Sequence, residues 1–232
     1  MFFHPMDILI FIALGLAMWA QSKVQNNFHK YARVQASAQI TGLQVARRIL
    51  DQNGLHDVMI ERSNRGDLSD HYDPRAKTVR LSGPVYSGSS ISSLAIAAHE
   101  VGHAIQHGRG YAMLKFRTAL FPAAQLGSRM APLLFLVGFL FFGAGSVLGN
   151  QVIGIGIGLF AAAVLFQLVT LPVEYDASRR AKNQLLELGL VTNSEQAGIS
   201  RVLNAAALTY VASTLMAVLQ LLKFIMIFGR RR

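Results

Sequence analysis

The stretch that decides the fold is Ala98-His99-Glu100-Val101-Gly102-His103-Ala104-Ile105-Gln106-His107. It contains H-E-x-x-H, and histidines four apart on an α-helix share one face, one turn from each other. Two neutral imidazoles so placed can each offer a nitrogen to a tetrahedral Zn²⁺. Glu100 follows the first histidine directly, where its carboxylate reaches toward a water on the metal rather than the metal itself. That is the general-base position of a zinc peptidase. The bland reading, a helix that merely carries these three side chains, is weaker because a helix is expected here on independent grounds.

Those grounds lie upstream and downstream. From Ile91 the chain is apolar and small (Ile-Ser-Ser-Leu-Ala-Ile-Ala-Ala), Ser89 or Ser90 can cap its start, and Gly108 and Gly110 supply a stop. His107 continues the histidine stripe, but it lies too far along a straight helix to close a compact tetrahedron. The metzincin pattern would place its third histidine where this chain has Arg109. His107 is therefore read as a neighbour of the ligands or a surface group.

Composition points to a membrane. The 232 residues are 52% hydrophobic and 15% charged, with a mean hydropathy of +0.37. Soluble domains carry nearer a quarter charged residues. No cysteine is present, so there is no disulfide framework and any zinc must be held by histidine and carboxylate. The net charge of +10 does not come with aromatics interleaved among the basic residues, which argues against a nucleic-acid partner. Juxtamembrane lysines and arginines explain it better.

Residues 1–22 read as a retained transmembrane anchor: an apolar run from Met6 to Ala20, with Trp19 near one interface and Lys23, Lys30 and Arg33 behind it. Residues 23–130 read as a mixed α+β region. Thr41-Gly42-Leu43-Gln44 has the form of a capping box opening a helix that stops at Asn53-Gly54. A strand at Val58–Glu61, a polar stretch from Leu68 ending in a turn at Asp73-Pro74, and a strand at Thr78–Ser82 precede the motif helix. The exposed edge of that last strand is expected to offer itself to an extended peptide, although a covered edge serves the sequence as well.

Residues 131–171 hold two uncharged apolar runs, Ala131–Gly149 and Val152–Leu171, separated only by Asn150-Gln151. They read as a transmembrane hairpin. Gly138, Gly143, Gly145 and Gly149 on one run and Gly154, Gly156 and Gly158 on the other are expected to be its packing surfaces. Residues 172–209 follow, with Pro172 able to begin a helix and Glu174 in its first turn. An H-E-x-x-H site needs one more protein ligand, and Glu174 is its natural supplier, with Asp176 as the second choice. Both acids could instead simply favour the helix dipole. Thr192 or Ser194 can cap a further helix. Residues 210–232 then read as a fourth transmembrane helix, Tyr210–Phe228, and a basic tail, Arg230–Arg232.

Several blocks in one order carry a family resemblance: Thr41-Gly42 with Val45-Ala46-Arg47, Asp70-His71-Tyr72-Asp73-Pro74, Val79–Ser82, Ala97–Gln106, Leu171–Ser178 and Val202–Tyr210. Over nearly its full length the chain resembles the YugP-type membrane zinc metallopeptidases, the neutral zinc metallopeptidase 2 family. The resemblance implies a membrane protein, α-helical, with a small α+β zincin-like (gluzincin) catalytic unit and about four transmembrane helices. It implies one Zn²⁺ per chain held by His99, His103 and Glu174, with Glu100 as base. A more distant resemblance is to HtpX-type peptidases, whose usual pattern has Asp four residues after the ligand glutamate; this chain has Ser178 there and Asp176 two residues after Glu174.

The residues and this resemblance together imply an endopeptidase in the bacterial cytoplasmic (inner) membrane, acting on protein or peptide substrates in or near the bilayer. The basic residues flanking the membrane ends place its site on the cytoplasmic side. Asp176, His71, Tyr72 and Tyr175, with Tyr210, are candidates for steadying the ligands or an oxyanion. The alternative function is a catalytically inactive zinc-binding scaffold, which would have no evident need of Glu100. A channel is disfavoured by the uncharged spans.

Overall fold

The computed structural model describes residues 4–140 and 146–229. Gly143, Gly145 and the basic tail Arg230–Arg232 lie outside the described residues. Among the described residues, seven helices and three strands follow in the order α1 (Pro5–Ala32), α2 (Gly42–Gln52), β1 (Met59–Arg62), β2 (His71–Asp73), β3 (Thr78–Leu81), α3 (Gly83–Ser87), α4 (Ile91–Gly108), α5 (Ala112–Leu140), α6 (Val147–Glu187) and α7 (Asn193–Gly229). Two compact units divide the chain. A mixed unit holds residues 19–114 and 172–209, and an apolar unit holds residues 1–18, 115–171 and 210–232.

In the mixed unit, local chemistry sets where the helices begin. Thr41 and Gln44 form a reciprocal capping box on α2 (Thr41 Oγ1 accepts from the Gln44 N–H at 3.3 Å, Gln44 Oε1 from the Thr41 N–H at 2.9 Å). Ser90 caps α4 by accepting from the Ser93 N–H. Val45, Ala46, Ile49 and Leu50 on one stripe of α2 are fully buried, and they join Leu94, Ala97, Ala98, Val101 and Ile105 of α4 in one core. Val79 and Leu81 of β3 fill the same core. The sheet runs β1-β3-β2, with β1 parallel and β2 antiparallel to β3.

That order corrects one expectation. The strand beginning at Thr78 is central, paired through Val79 with Ile60 on one side and Tyr72 on the other, so it offers no edge to a peptide. The second outer strand is β2, formed by residues that read as polar connection. Its turn into β3 is held by Asp73, whose Oδ1 accepts from the Arg75 and Ala76 N–H groups.

The apolar unit consists of parts of α1, α5, α6 and α7. Among the described residues, these four helices are long and apolar enough to cross a membrane. Phe11, Ile12, Leu133, Leu136, Phe139, Leu148 and Ile155 all stand exposed on them, as side chains facing lipid would. Asp7 of α1 and Lys223 of α7 form an ion pair, so each charge has a partner in apolar surroundings.

Three helix boundaries differ from those expected. Asn150 and Gln151 lie within α6, which already begins at Val147. Helix α6 also passes through Pro172 rather than starting there; a proline inside a long membrane helix is tolerated where neighbours satisfy the freed carbonyl. At the C-terminus, one helix replaces the expected pair. In its first turn Glu195 reaches back, its Oε2 accepting from the Thr192 N–H and Oγ1.

Candidate metal site

Three side chains of the mixed unit converge. His99 and His103 project from successive turns of α4, their rings 4.8 Å apart and nearly perpendicular. Glu174 reaches them from α6. Its Oε2 lies 3.3 Å from His99 Nε2 and 3.6 Å from His103 Nε2, and the potential ligand atoms of the three residues all fall within 4.8 Å of one another. Zinc–nitrogen and zinc–oxygen bonds of about 2.0–2.1 Å make the edge of a ligand tetrahedron roughly 3.4 Å long. The two measured separations match such an edge. Two imidazoles and a carboxylate are also the donor set zinc accepts in an open site, so these residues fit that metal.

The opposite nitrogen of each imidazole is engaged. His99 Nδ1 lies 3.1 Å from Ser178 Oγ, and His103 Nδ1 lies 3.0 Å from Gln106 Oε1. Holding Nδ1 in this way turns Nε2 of each ring toward Glu174. Ser178 thus occupies the orienting position in which the sequence departs from the HtpX pattern. Asp176 touches neither histidine. Its carboxylate accepts from Gln106 Nε2 at 2.9 Å and is closed off by Arg180 Nε at 2.6 Å and Arg179 Nη2 at 2.5 Å.

Glu100, nearly buried, follows His99 directly on α4 and lies near the backbone N–H of Tyr72 on β2. Burial pushes its carboxyl up to about 7. The charge of His99 opposes that rise, the negative charges of Glu174 and Asp70 add to it, and the Tyr72 N–H opposes it. Asp70 is itself held by the N–H and Oγ of Ser82, at 2.7 and 3.0 Å, and burial raises its carboxyl too. A carboxylate that titrates near neutrality can take up a proton and give it back.

The remaining candidates are spread more widely. The Tyr72 hydroxyl pairs with His107 Nδ1 at 2.8 Å, and burial, aided by Asp57 and Asp73, pushes its phenol up to about 12, so it stays protonated. His71 Nδ1 donates to the Ser69 carbonyl at 2.8 Å. Tyr175 is half exposed on α6, and Tyr210 belongs to the apolar unit. The residue that sequence reasoning passed over is Gln106. It lies three positions after His103, one turn further along the face that carries the two histidines, and a polar side chain in that place was the available signal.

With this geometry in view, likeness to known proteins has a structural counterpart. The family described as "Putative neutral zinc metallopeptidase" matches residues 6–229. The chain is 54% identical over 220 residues to "Putative membrane protease YugP" of Bacillus subtilis (strain 168), an alignment covering 95% of each. No solved structure matches. The chain is therefore a membrane protein that belongs to this neutral zinc metallopeptidase family.

Proposed function

We propose that this protein is a membrane-embedded zinc endopeptidase whose mixed unit is zincin-like, with His99, His103 and Glu174 holding one Zn²⁺ and Glu100 serving as general base. A zinc ion bound there supplies a Lewis acid for the scissile carbonyl and lowers the pKa of water toward neutrality. The chain's own residues do the rest. Glu100 takes a proton from the attacking water on its carboxylate and returns it to the leaving amine nitrogen. Ser178 and Gln106 keep the two imidazoles aimed.

The observation that carries this reading is the pairing of two buried carboxylates in different roles. Glu174 sits at ligand distance from both Nε2 atoms. Glu100 adjoins them with its carboxyl pushed up to about 7. A purely structural zinc site uses the first and has no task for the second. An extended peptide added along β2, an outer strand of the sheet whose Tyr72 backbone lies near Glu100, would bring a backbone carbonyl to the base. The apolar helices favour substrates in or beside the bilayer. Lys23, Lys30, Arg33, Lys115, Arg117, Arg129, Arg179, Arg180 and Lys182 support a cytoplasmic active site in the inner membrane.

The test is cleavage of an unfolded casein-like protein by the detergent-purified chain beside Glu100→Gln, with zinc content measured on both. One zinc in each, and a loss of cleavage of about 10²–10⁴-fold in the variant, is the expected result. Equal cleavage by both would remove Glu100 from the reaction. Absence of zinc from both would remove the ligand set.

A further inference from the structure

Gln106 is completely buried, yet each polar atom of its side chain is spoken for. Nε2 donates to the Val173 carbonyl at 2.8 Å and to Asp176 Oδ2 at 2.9 Å; Oε1 lies 3.0 Å from His103 Nδ1. The chemistry of the partners fixes which way the amide faces. A carbonyl and an ionised carboxylate only accept, so the atom facing them must be the NH₂ group, and both of its hydrogens are consumed. The oxygen is then left toward His103, and an oxygen can only accept. His103 must therefore carry hydrogen on Nδ1, which in the neutral, metal-binding ring leaves Nε2 as the lone-pair nitrogen.

The anchor behind this arrangement is firm. Asp176 is gripped by Arg179 and Arg180, and the Arg180 guanidinium lies over the Tyr111 ring, 5.8 Å from its centroid. Val173 and Asp176 also flank Glu174 on α6. The same amide that orients His103 therefore grips the helical turn that carries the carboxylate.

From these contacts we infer that Gln106 is a positioning residue for the metal: it sets the tautomer and ring direction of His103 and ties α4 to the turn of α6 bearing Glu174. The inference rests on zinc being held by His99, His103 and Glu174. It is distinct from the role of Ser178, which reaches His99 from the other helix, and it assigns a task to the one fully buried amide of α4.

The experiment uses the full chain in detergent. Zinc affinity is read by competition with a chromogenic chelator, and the visible absorption of the Co²⁺-loaded protein reports ligand geometry. Gln106→Met has similar length but can neither accept from His103 nor donate to α6. It is expected to weaken zinc binding about 10–100-fold, the usual effect of losing a partner behind a metal-binding histidine, and to alter the Co²⁺ bands while helix content by circular dichroism stays the same. Wild-type affinity with an unchanged Co²⁺ spectrum would overturn the inference. Glu174→Ala is measured alongside: if it too keeps wild-type affinity, the metal site itself is misassigned and the inference falls with it. If Gln106→Met does not fold, nitrogen NMR of the metal-free wild-type chain, with the His103 signals identified by their loss in His103→Ala, decides the matter. Hydrogen on Nδ1 supports the assignment, and hydrogen on Nε2 alone overturns it.

Discussion

Both units bring helices close through glycine, but with different consequences. In the mixed unit, α4 meets α6 at Gly102, where an added Cβ would lie 2.6 Å from the Ala177 carbonyl oxygen. In the apolar unit, α5 meets α6 at Gly127 against the Leu159 carbonyl, and at Gly138 against Ile153. Gly102 lies between His99 and His103, and Ala177 lies between Glu174 and Ser178. The closeness of α4 and α6 thus becomes ligand geometry. Around Gly138 the neighbours are Ile153 and the Gly149 carbonyl, and around Gly156 they are Phe135 and Leu134, so a shift there costs packing and moves none of the proposed metal ligands. On the proposed reading, one device serves a metal site in one unit and helix association in the other.

The comparison breaks most visibly at Glu174. Glu174→Ala leaves two imidazoles with no carboxylate, and zinc affinity should fall by more than about 100-fold, beyond the range seen for loss of an orienting partner. The measurement is chelator competition on the purified chain. An apolar-unit substitution such as Gly127→Ala should leave the same affinity unchanged. If both variants lose zinc equally, the two crossings are not functionally distinct.

Next in size is a pH effect confined to the mixed unit. In the metal-free chain, burial raises the Glu100 carboxyl from its ordinary 4.5 to about 7. A folded-state value above the unfolded one means that folding takes up a proton between the two. The associated stability is full below about 4.5 and is lost as pH rises through about 7. Glu100→Gln cannot ionise and should flatten that slope, making the variant more stable than wild type at pH 7.5 when both are chelator-treated. Melting temperatures at pH 5 and 7.5 decide it; parallel slopes would mean that Glu100 is as well solvated as an exposed acid.

Gly102→Ala tests the crossing itself. Its Cβ meets backbone, which cannot rotate away, so the helices must part. Overpacking of this kind costs about 1–3 kcal/mol, and here it should also weaken zinc because Glu174 moves with Ala177. Gly127→Ala meets backbone as well and should lower the melting temperature by a similar amount without touching zinc affinity.

How much of this was legible in the sequence follows from the range of each signal. The start of α4 is local: Ser90 caps it and Ile91–Ala98 propagate it. The capping box at Thr41 is local too, and so are the long apolar runs. What escaped depends on distance or on weak punctuation. Strand β2 is three residues long and polar, too short for an alternating pattern, and only its pairing with Tyr72↔Val79 makes β3 central. Asn150-Gln151 resembled a turn because no other polar pair interrupts the run, but two amides fit readily within an otherwise apolar helix. Pro172 marked a helix start by a rule for isolated helices, whereas α6 arrives at it already formed. The spacing of His99 and His103 is visible along one helix. The meeting of Gln106 with Val173 and Asp176 spans about 70 positions, and no pattern in either segment announces it.

The smallest expected effect separates glycines that pack from those that merely resemble them. Gly154 and Gly158 lie one turn apart on one face of α6 and Gly156 on the opposite face, and all were expected to face a partner helix. Among the described residues only Gly156 does: its Cβ would meet the Phe135 ring at 2.9 Å, while no described atom lies within 4 Å at Gly154 or Gly158. At those two positions alanine adds helix propensity worth up to about 1 kcal/mol and displaces nothing. Gly154→Ala and Gly158→Ala should therefore match or slightly exceed the wild-type melting temperature in detergent, and Gly156→Ala should fall below it. A fall for Gly154→Ala or Gly158→Ala equal to that of Gly156→Ala would mean that a second surface covers this face of α6. The apolar unit would then use its glycines for more than joining its own helices.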